Sequence, residues 1–431
     1  MRFSTFLSAS RPRGFELMIV LCLLPFSICS APAQSLKVLH MFNGSDGQFP
    51  YYAPLIFDKA GNLYGTTYYG GTVNSECAYG CGAVFELSPN NGGWSETVLY
   101  SFATNSGDGT FPAAGLIFDA AGNLYGTTSR GGTSNEGTVF ELVRQKDRIF
   151  AEKILYNFCS VGMYCSDGDQ PTAGLVFDAA GNLFGTTSSY DSSPYGVVFE
   201  LTKGANGQWS ETVVHAFNGT DGTSPAAGLI IDGKGNLYGT AGGPLGGPYC
   251  DPDTTAFELS PERNKGWTFV VLYNFGVGGP DGYCSTGPLV RDAAGHLYGT
   301  TYVGGTYDAG AVFELVRGKN AEWTEKTLHN FNGNDGAQPY GGLVRDGQGN
   351  LFGTLEAGGK NGFGSVFKLS PQQGSHWKET ILHNFTGLDG SSPFAGLISD
   401  GAGNLYGTTY FGGKLNDCEY DGCGVVFELT P

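Results

Sequence analysis

Residues 115–142 read GLIFDAAGNLYGTTSRGGTSNEGTVFEL, and the fold follows from this pattern. Its core, G-[NH]-L-[YF]-G-T, recurs at intervals of 54 to 61 residues. The copies begin at Gly61, Gly122, Gly181, Gly235, Gly295, Gly349 and Gly403. No linker-like segment separates them, so the chain is an array of seven equivalent units.

Each unit contains four short apolar runs bounded by Gly, Asp, Asn or Pro, which is typical of β-strands. In the second unit these runs are 115–118, 123–127, 138–142 and 153–158. The first two runs are joined by Asp-x-x-Gly-Asn, where the carboxylate accepts backbone N–H bonds and Gly supplies a positive φ, which predicts a tight hairpin. The third and fourth runs are joined by a polar loop, which we interpret as a second hairpin. It closes on Trp94, Trp209, Trp267, Trp323 and Trp377 in five units.

Four antiparallel strands repeated seven times predict an all-β fold, a seven-bladed β-propeller. Each small twisted sheet buries both faces against its neighbours, and the ring leaves few open edges. A solenoid would need shorter, more uniform units, and a string of immunoglobulin-like domains would show linkers and about 100 residues per domain. The run 37–42 is of the fourth type and the run 425–429 of the third. We therefore predict that these two runs pair and close the ring, with the first strand of each unit innermost.

The N-terminus has the features of a secretory signal peptide. Basic residues precede an apolar run at 17–28, and Ala31-Pro32-Ala33 has the small-x-small form of a cleavage site. We predict cleavage near Ala33 and a single propeller domain over 34–431. The apolar run is too short to anchor the chain, and no later stretch reaches the roughly 20 apolar residues of a membrane span. The expected location is therefore secreted or periplasmic.

Charge and composition narrow the function classes. The first 33 residues hold three of the 23 basic and one of the 40 acidic residues, so their removal changes the formal charge from −17 to −19. Such an acidic protein repels phosphate backbones, so we expect no nucleic-acid partner. With 71 Gly, 13% aromatic and 15% charged residues, the composition fits turn-rich β structure better than long helices.

Eight cysteines follow the signal segment, an even number that predicts disulfides in an exported protein. All lie in the predicted long loops, and we pair them as Cys77 with Cys81, Cys159 with Cys165, Cys250 with Cys284 and Cys418 with Cys423. The alternative, zinc at the first pair, would need two more ligands nearby. Disulfides in these loops indicate either that one face is a rigid binding surface or that the loops are simply stabilised.

The repeat unit resembles the GloVer tandem-repeat family. Units of that family carry G-L-x-x-D-x-x-G-N-L-Y-G-T-T followed by G-G-x-x-x-x-G-x-V-F-x-L, and 115–142 is the fullest match here. The resemblance implies an exported bacterial repeat protein, often tethered by a C-terminal anchor, without an established activity. The chain stops at Pro431 directly after its last strand, so we expect release or periplasmic residence. The Asp-x-x-Gly-Asn-Leu-Tyr element is also similar to the inner strands of NHL-type and gluconolactonase-type propellers, a likeness of fold alone.

Aspartates recur at two places in every unit. One set lies in the loops between units as Asp-Gly, at Asp46, Asp108, Asp167, Asp221, Asp281, Asp335 and Asp389. The other set starts the first hairpin, at Asp58, Asp119, Asp178, Asp232, Asp292, Asp346 and Asp400. Carboxylates and turn carbonyls suit Ca²⁺, which is the functional alternative. Because no loop shows the dense Asp/Asn alternation of a calcium loop, we interpret both sets as turn residues and predict neither a metal site nor another cofactor.

A catalytic centre in such a ring should appear where the repetition breaks. Arg291 and Arg345 stand where most other units have apolar residues, near the predicted channel, where they would hold an anionic ligand or form a salt bridge. His296, Lys368 and Glu356 are further departures. No nucleophile triad, phosphate-binding loop or lactonase metal set is present. Four histidines share one outer-strand position, and we interpret them as Tyr-like packing residues: His40, His215, His329 and His383.

These observations favour a monomeric binding or scaffold module over an enzyme. Its ligand would be a glycan or a protein, held at the loop-rich face. Aromatic residues among the glycine loops would stack on sugar rings or pack at strand ends: Tyr68, Tyr69, Tyr302, Tyr410 and Phe411. The rival hypothesis is a polysaccharide lyase or glycosidase with its site at the central channel.

Overall fold

The computed structural model describes residues 34–431 except 76, 103–106, 147–149, 163, 190–194, 244–253, 264–265, 277–278, 321 and 419–420. Gln34–Pro431 form one compact unit. The predicted signal segment and its cleavage site lie outside the described residues. Among those residues, no helix combines the length and apolar character that crossing a bilayer requires.

Seven four-stranded antiparallel sheets form the blades of a propeller, which confirms the predicted fold. Blades are numbered from the N-terminus and strands outward from the channel. The first strands are Ile56–Phe57, Ile117–Phe118, Val176–Phe177, Ile230–Ile231, Val290–Arg291, Val344–Arg345 and Ile398–Ser399. The second strands are Leu63–Thr67, Leu124–Thr128, Leu183–Thr187, Leu237–Ala241, Leu297–Thr301, Leu351–Leu355 and Leu405–Thr409.

The outer half of each blade consists of longer strands. The third strands are Ala83–Asn90, Thr138–Arg144, Val197–Lys203, Thr255–Glu262, Ala311–Arg317, Ser365–Pro371 and Val425–Thr430. The fourth strands are Gly93–Ser101, Phe150–Asn157, Trp209–Ala216, Gly266–Asn274, Trp323–Asn330, Trp377–Asn384 and, for blade 7, Ser35–Met41. A two-stranded ribbon, Gly109–Thr110 with Arg130–Gly131, and a 3₁₀ turn, Gln373–Ser375, complete the described elements.

The two ends of the chain close the ring as predicted. Ser35–Met41 pairs antiparallel with Val425–Thr430, in the register Leu36 with Leu429 and Met41 with Val425. The N-terminal strand therefore starts two residues earlier than the run 37–42 and supplies the outermost strand of the last blade. Since blade 7 is built from both ends of the chain, the ring is held shut by this strand pair.

The Gly-Thr pair in each second strand has a packing reason. A Cβ atom at Gly299 would lie 2.5 Å from Cζ of Phe313, the buried ring of the neighbouring third strand. The same crowding by the same Phe position occurs in all seven blades. In blades 1 to 6 the threonine that follows reaches the next blade, as where the Thr354 hydroxyl donates to the carbonyl of Ala395 at 3.0 Å. Glycine thus leaves room for the buried Phe ring, and the threonine hydroxyl forms a hydrogen bond between adjacent blades.

The Asp-x-x-Gly-Asn hairpins are closed by a hydrogen-bonded carboxylate. In blade 1, Asp58 Oδ1 accepts the backbone N–H groups of Ala60 at 2.8 Å and Asn62 at 2.9 Å. Gly61 between them has φ +86°, which disfavours any side chain. Burial alone would raise the pKa of the Asp58 carboxyl, but the hydrogen bonds from Asn62 and Ala60 outweigh it and lower that pKa. These turns define one face of the ring, the hairpin face. The loops between blades and those after the second strands define the opposite loop face.

Candidate functional site

On the loop face, the residue that follows each second strand differs from blade to blade. In blades 1 to 7 it is Tyr68, Ser129, Ser188, Gly242, Tyr302, Glu356 and Tyr410. A second variable position precedes each first strand. It holds Tyr52, Ala113, Thr172, Ala226, Thr286, Tyr340 and Phe394. Blades 6, 7 and 1 have large side chains at both positions and blade 5 has one at the first position, whereas blades 2 to 4 have small ones at both.

The large residues form one continuous set of rings, which we call the aromatic sector: Tyr51, Tyr52, Tyr68, Tyr302, Tyr340, Phe394 and Tyr410. Neighbouring ring centroids are 5.2 to 5.5 Å apart in the order Tyr302, Tyr340, Phe394, Tyr410, Tyr51, Tyr68. Tyr52 stacks on Tyr340 with centroids 4.4 Å apart and planes 2° from parallel. Except for the buried Tyr340, these rings are half-buried, so each keeps part of its surface toward solvent.

The aromatic sector borders the central channel. A cavity of about 190 Å³ is lined by the segments preceding the first strands, including Ala114, Gly174 and Gly228. A second cavity of about 290 Å³ lies on the side of blades 5 to 7 and includes Phe394 in its wall. Tyr52 and Tyr340 line both cavities. A ligand on the sector would therefore lie over the channel entrance.

Glu356 is the one carboxyl among the seven residues that follow the second strands. The hydroxyl of Tyr302 hydrogen-bonds to it. Its Oε2 atom is buried and accepts no hydrogen bond from any described residue. Burial raises the pKa of Glu356 to about 7, and the bond from Tyr302 opposes that rise. The carboxyl thus changes charge near neutral pH, in contact with the aromatic sector.

Three of the five aromatic residues proposed from the sequence lie in this sector: Tyr68, Tyr302 and Tyr410. The other two flank it. The Tyr69 ring packs 4.8 Å from Tyr68, and the Phe411 ring packs 4.5 Å from Tyr410. The sequence reasoning missed the aromatic residues that precede the first strands. Their signal was a large side chain where other units have Ala or Thr: Tyr52, Tyr340 and Phe394.

The two arginines proposed as anion ligands lie at the opposite ends of their strands, beside the hairpins. The guanidinium of Arg291 sits 5.8 Å from the ring centroid of Tyr238 in the preceding blade, and its Nη2 is 4.0 Å from Asp232 Oδ2. Arg345 lies over Tyr298 in the same way, at 5.9 Å. Neither lines the two channel cavities. The structure does not bring them together with the aromatic sector.

Three of the predicted disulfides are present: Cys77–Cys81, Cys159–Cys165 and Cys418–Cys423. Cys284 is fully buried, but its predicted partner Cys250 lies outside the described residues. Two of the bridges support rings beside the aromatic sector. The N–H of Phe49 donates to the Cys423 carbonyl at 2.9 Å, and the N–H of Phe111 to that of Cys81 at 2.8 Å. Phe49 stacks on Tyr410 and Phe111 on Tyr68, so these disulfides brace the sector.

A second arrangement is repeated at the outer rim. A Tyr or His of the fourth strand contacts the aspartate of the loop that follows it. The His329 Nε2 lies 3.2 Å from Asp335 Oδ2, and at the equivalent position the Tyr273 hydroxyl donates to Asp281 at 2.9 Å. The histidines therefore occupy a Tyr-like position. In five interfaces a Glu of the next blade approaches the pair: Glu96, Glu152, Glu211, Glu325 and Glu379.

One of these rim groups has donors close enough for a metal ion. The ligand atoms of His329, Asp335 and Glu379 all lie within 4.8 Å of one another, and no other group of three among the described residues does so. The remaining two interfaces place an apolar residue at the Glu position. In one of them, Phe269 of blade 4 stacks on His215 with ring centroids 3.8 Å apart. In the other, Leu36 of blade 7 occupies the Glu position. The rim is therefore repeated only in part.

Comparison with known proteins identifies the repeat. The model of the Gloeobacter/Verrucomicrobia repeat matches residues 26–249, 153–322 and 251–431. No curated protein matches the sequence. Among solved structures, a fungal alcohol oxidase of the AA5 family, in complex with copper, is 14% identical over 92% of this chain and 76% of its own, with a TM-score of 0.52. At that identity the likeness shows the fold alone.

Two bacterial structures also match over 92% of this chain. A protein of unknown function from Dyadobacter fermentans is 11% identical, with 98% of its own chain covered and a TM-score of 0.46. A protein titled as a putative oxidoreductase (glucose dehydrogenase) from Thermus thermophilus is 15% identical, with 100% covered and a TM-score of 0.42.

Proposed function

The chain belongs to the Gloeobacter/Verrucomicrobia repeat family, and from that premise we propose that it is an exported binding module that holds a glycan on the aromatic sector of its loop face. The observation that carries the proposal is the continuous run of rings from Tyr302 to Tyr68. Blades 2 to 4, built from the same repeat, have small residues at the same positions. The rings are thus not a requirement of the propeller itself.

The chemistry of the sector suits sugars. A flat aromatic face packs against the apolar C–H face of a sugar ring, and a tyrosine hydroxyl adds a polar group beside it. The half-buried rings of Tyr51, Tyr68 and Tyr410 offer both kinds of contact. Because the rings continue across four blades, the sector is long enough for several sugar units, and we propose an oligosaccharide or polysaccharide ligand.

The export of the protein is part of this proposal. Disulfides form and persist in oxidising compartments, and three are present in the described residues. They are compatible with an extracellular or periplasmic location, where polysaccharides are available as ligands. Rings braced by Cys77–Cys81 and Cys418–Cys423 lose little conformational entropy on binding, which favours affinity.

A second candidate is a polysaccharide-active enzyme. Glu356 favours it, because a carboxyl with its pKa raised to about 7 by burial can act as a general acid or base at neutral pH. Glycoside hydrolysis ordinarily uses two carboxyl groups flanking the bond. Within the described residues, the positions that form the sector supply only Glu356. We therefore rank binding before catalysis.

The test is a glycan array probed with residues 34–431, followed by calorimetric titration of the best ligand. We expect Tyr410→Ala and Phe394→Ala to weaken binding at least tenfold, since each removes a stacking face. Ser188→Ala and Ala226→Gly, at the equivalent positions of blades 3 and 4, are the matched controls and should leave affinity unchanged. Equal losses in both sectors, or no glycan bound at all, would contradict the proposal. Release of shortened or unsaturated products from the bound glycan would favour the enzyme.

A further inference from the structure

One residue beside the aromatic sector is out of keeping with a plain stacking surface. Glu356 follows the second strand of blade 6, between blades that have Tyr302 and Tyr410 at the equivalent position. A tyrosine there would have added a further ring. Glu356 instead places an acid beside Tyr302, while the run of rings passes from Tyr302 to Tyr410 through Tyr340 and Phe394.

Glu356 has few partners among the described residues. The Tyr302 hydroxyl supplies one hydrogen bond, and the buried Oε2 receives none from the described residues. No Lys, Arg or His of the described chain forms an ion pair with it. A buried carboxylate without a counter-charge is costly. The cost falls when a ligand brings a cation to this half-buried carboxyl group.

The surroundings favour a cation of organic type. Aromatic faces attract ammonium groups through the ring quadrupole, and Tyr302, which hydrogen-bonds to the acid, is the first ring of the sector. An ammonium also supplies an N–H donor to the half-buried Glu356 carboxylate, in a charge-assisted hydrogen bond. The formal charge of −17 works in the same direction, because an acidic protein attracts cationic ligands and repels acidic ones.

We propose that the aromatic sector selects amino sugars with a free, protonated amine, whose ammonium group pairs with Glu356 while the sugar rings stack on the neighbouring tyrosines. This inference rests on the proposed glycan binding and adds the class of glycan. Uronic acids are disfavoured by the same carboxylate. N-acetylated sugars keep the stacking contacts but lose the charge pair.

The experiment titrates residues 34–431 with two oligosaccharides of one length, an oligomer of β-1,4-linked glucosamine and its fully N-acetylated counterpart. We expect the free-amine oligomer to bind at least tenfold more tightly, which is the scale of one charge-assisted hydrogen bond. Glu356→Gln keeps the shape and removes the charge. It should abolish the preference, so that the two oligomers bind with similar affinity.

The controls distinguish failure of the amino-sugar preference from failure of the proposed glycan binding. Glu356→Tyr restores the residue type of blades 5 and 7 and should also abolish the preference, so the test survives if the Gln variant does not fold. Equal affinities for the two oligomers, or a preference retained in both variants, would overturn the inference and leave glycan binding standing. Failure of the wild type to bind either oligomer or any array glycan would overturn both. Tyr410→Ala should weaken both oligomers alike.

Discussion

The two ends of each second strand behave differently. At the hairpin end, all seven blades repeat the same Asp-x-x-Gly-Asn turn with the same carboxylate hydrogen bonds, His296 replacing the Asn in blade 5. At the loop end, the next residue changes from Tyr to Ser, Gly or Glu. The first end builds the blade and is repeated in every unit, whereas the second lies on the loop face and differs between units. In a repeat protein, what varies is therefore the better guide to a ligand site.

The largest effect on stability is expected in the repeated interior. Phe313→Ala removes a fully buried ring that covers Gly299 and packs 4.7 Å from Phe275. It should cost roughly 3–5 kcal/mol of unfolding free energy, because the space left by the ring does not collapse. Chemical denaturation followed by circular dichroism measures it. Tyr410→Ala, at the loop end, is the matched aromatic truncation, and a loss as large as that of Phe313→Ala would break the comparison.

The outer rim, repeated in five of seven interfaces, should have an intermediate effect that depends on pH. Burial, together with neighbouring aspartates, raises the pKa of its glutamates from the ordinary 4.5 to about 7 in Glu96 and about 8 in Glu379. Between pH 4.5 and the raised pKa values, these carboxyl groups are protonated in the folded protein but ionised in the unfolded chain. Their stabilising contribution is complete below pH 4.5 and is lost as pH rises through 7 to 8.

We therefore expect the melting temperature to fall by on the order of a few degrees between about pH 6 and pH 9. Burial lowers the pKa of His215 and His329, so their effect is confined to the acid side of this window. The double variant Glu152→Gln/Glu379→Gln should show a flatter profile and unfold at a higher temperature than the wild type at the alkaline end. A melting temperature that rises over this interval would show that these carboxyls titrate normally.

The hairpin turn should show a smaller, pH-independent loss near neutrality. Asp346 accepts the N–H groups of Gln348 at 2.9 Å and Asn350 at 2.8 Å, and Asp346→Ala leaves both without this acceptor. We expect a cost of about 1–2 kcal/mol, the usual value for losing a capping side chain. Asp346→Asn, which keeps one oxygen acceptor, should lose less. Denaturation at neutral pH compares them, and an unchanged midpoint for the alanine variant would mean that the turn forms without its carboxylate.

The sequence predicts the ring, its closure and three of the disulfides because these depend on local patterns repeated seven times. It also indicates Tyr68, Tyr302 and Tyr410, which directly follow a recognisable strand. It does not indicate that Tyr340 and Phe394 join them, because whether a residue before a two-residue strand faces the channel depends on the curvature of the ring. Nor does it reveal the approach of Glu379 to His329, since that contact joins two blades about 50 residues apart in sequence.

The smallest effect on stability is expected at the loop end, and it should have the opposite sign. Burial raises the pKa of Glu356 to about 7, so ionising it above that pH opposes folding, and Glu356→Gln removes that ionisation. We expect the variant to match the wild type at about pH 5 and to be slightly more stable at about pH 8, by about 1 kcal/mol or less. Thermal unfolding at the two pH values measures this difference in stability, with Asp346→Ala as the destabilised reference. A gain on removing the charge would show that the fold does not need the carboxylate, as the proposed role in binding requires. If Glu356→Gln were instead destabilised at both pH values, Glu356 would belong with the hairpin aspartates as a structural residue, and the contrast between the two ends of the strand would no longer hold in blade 6.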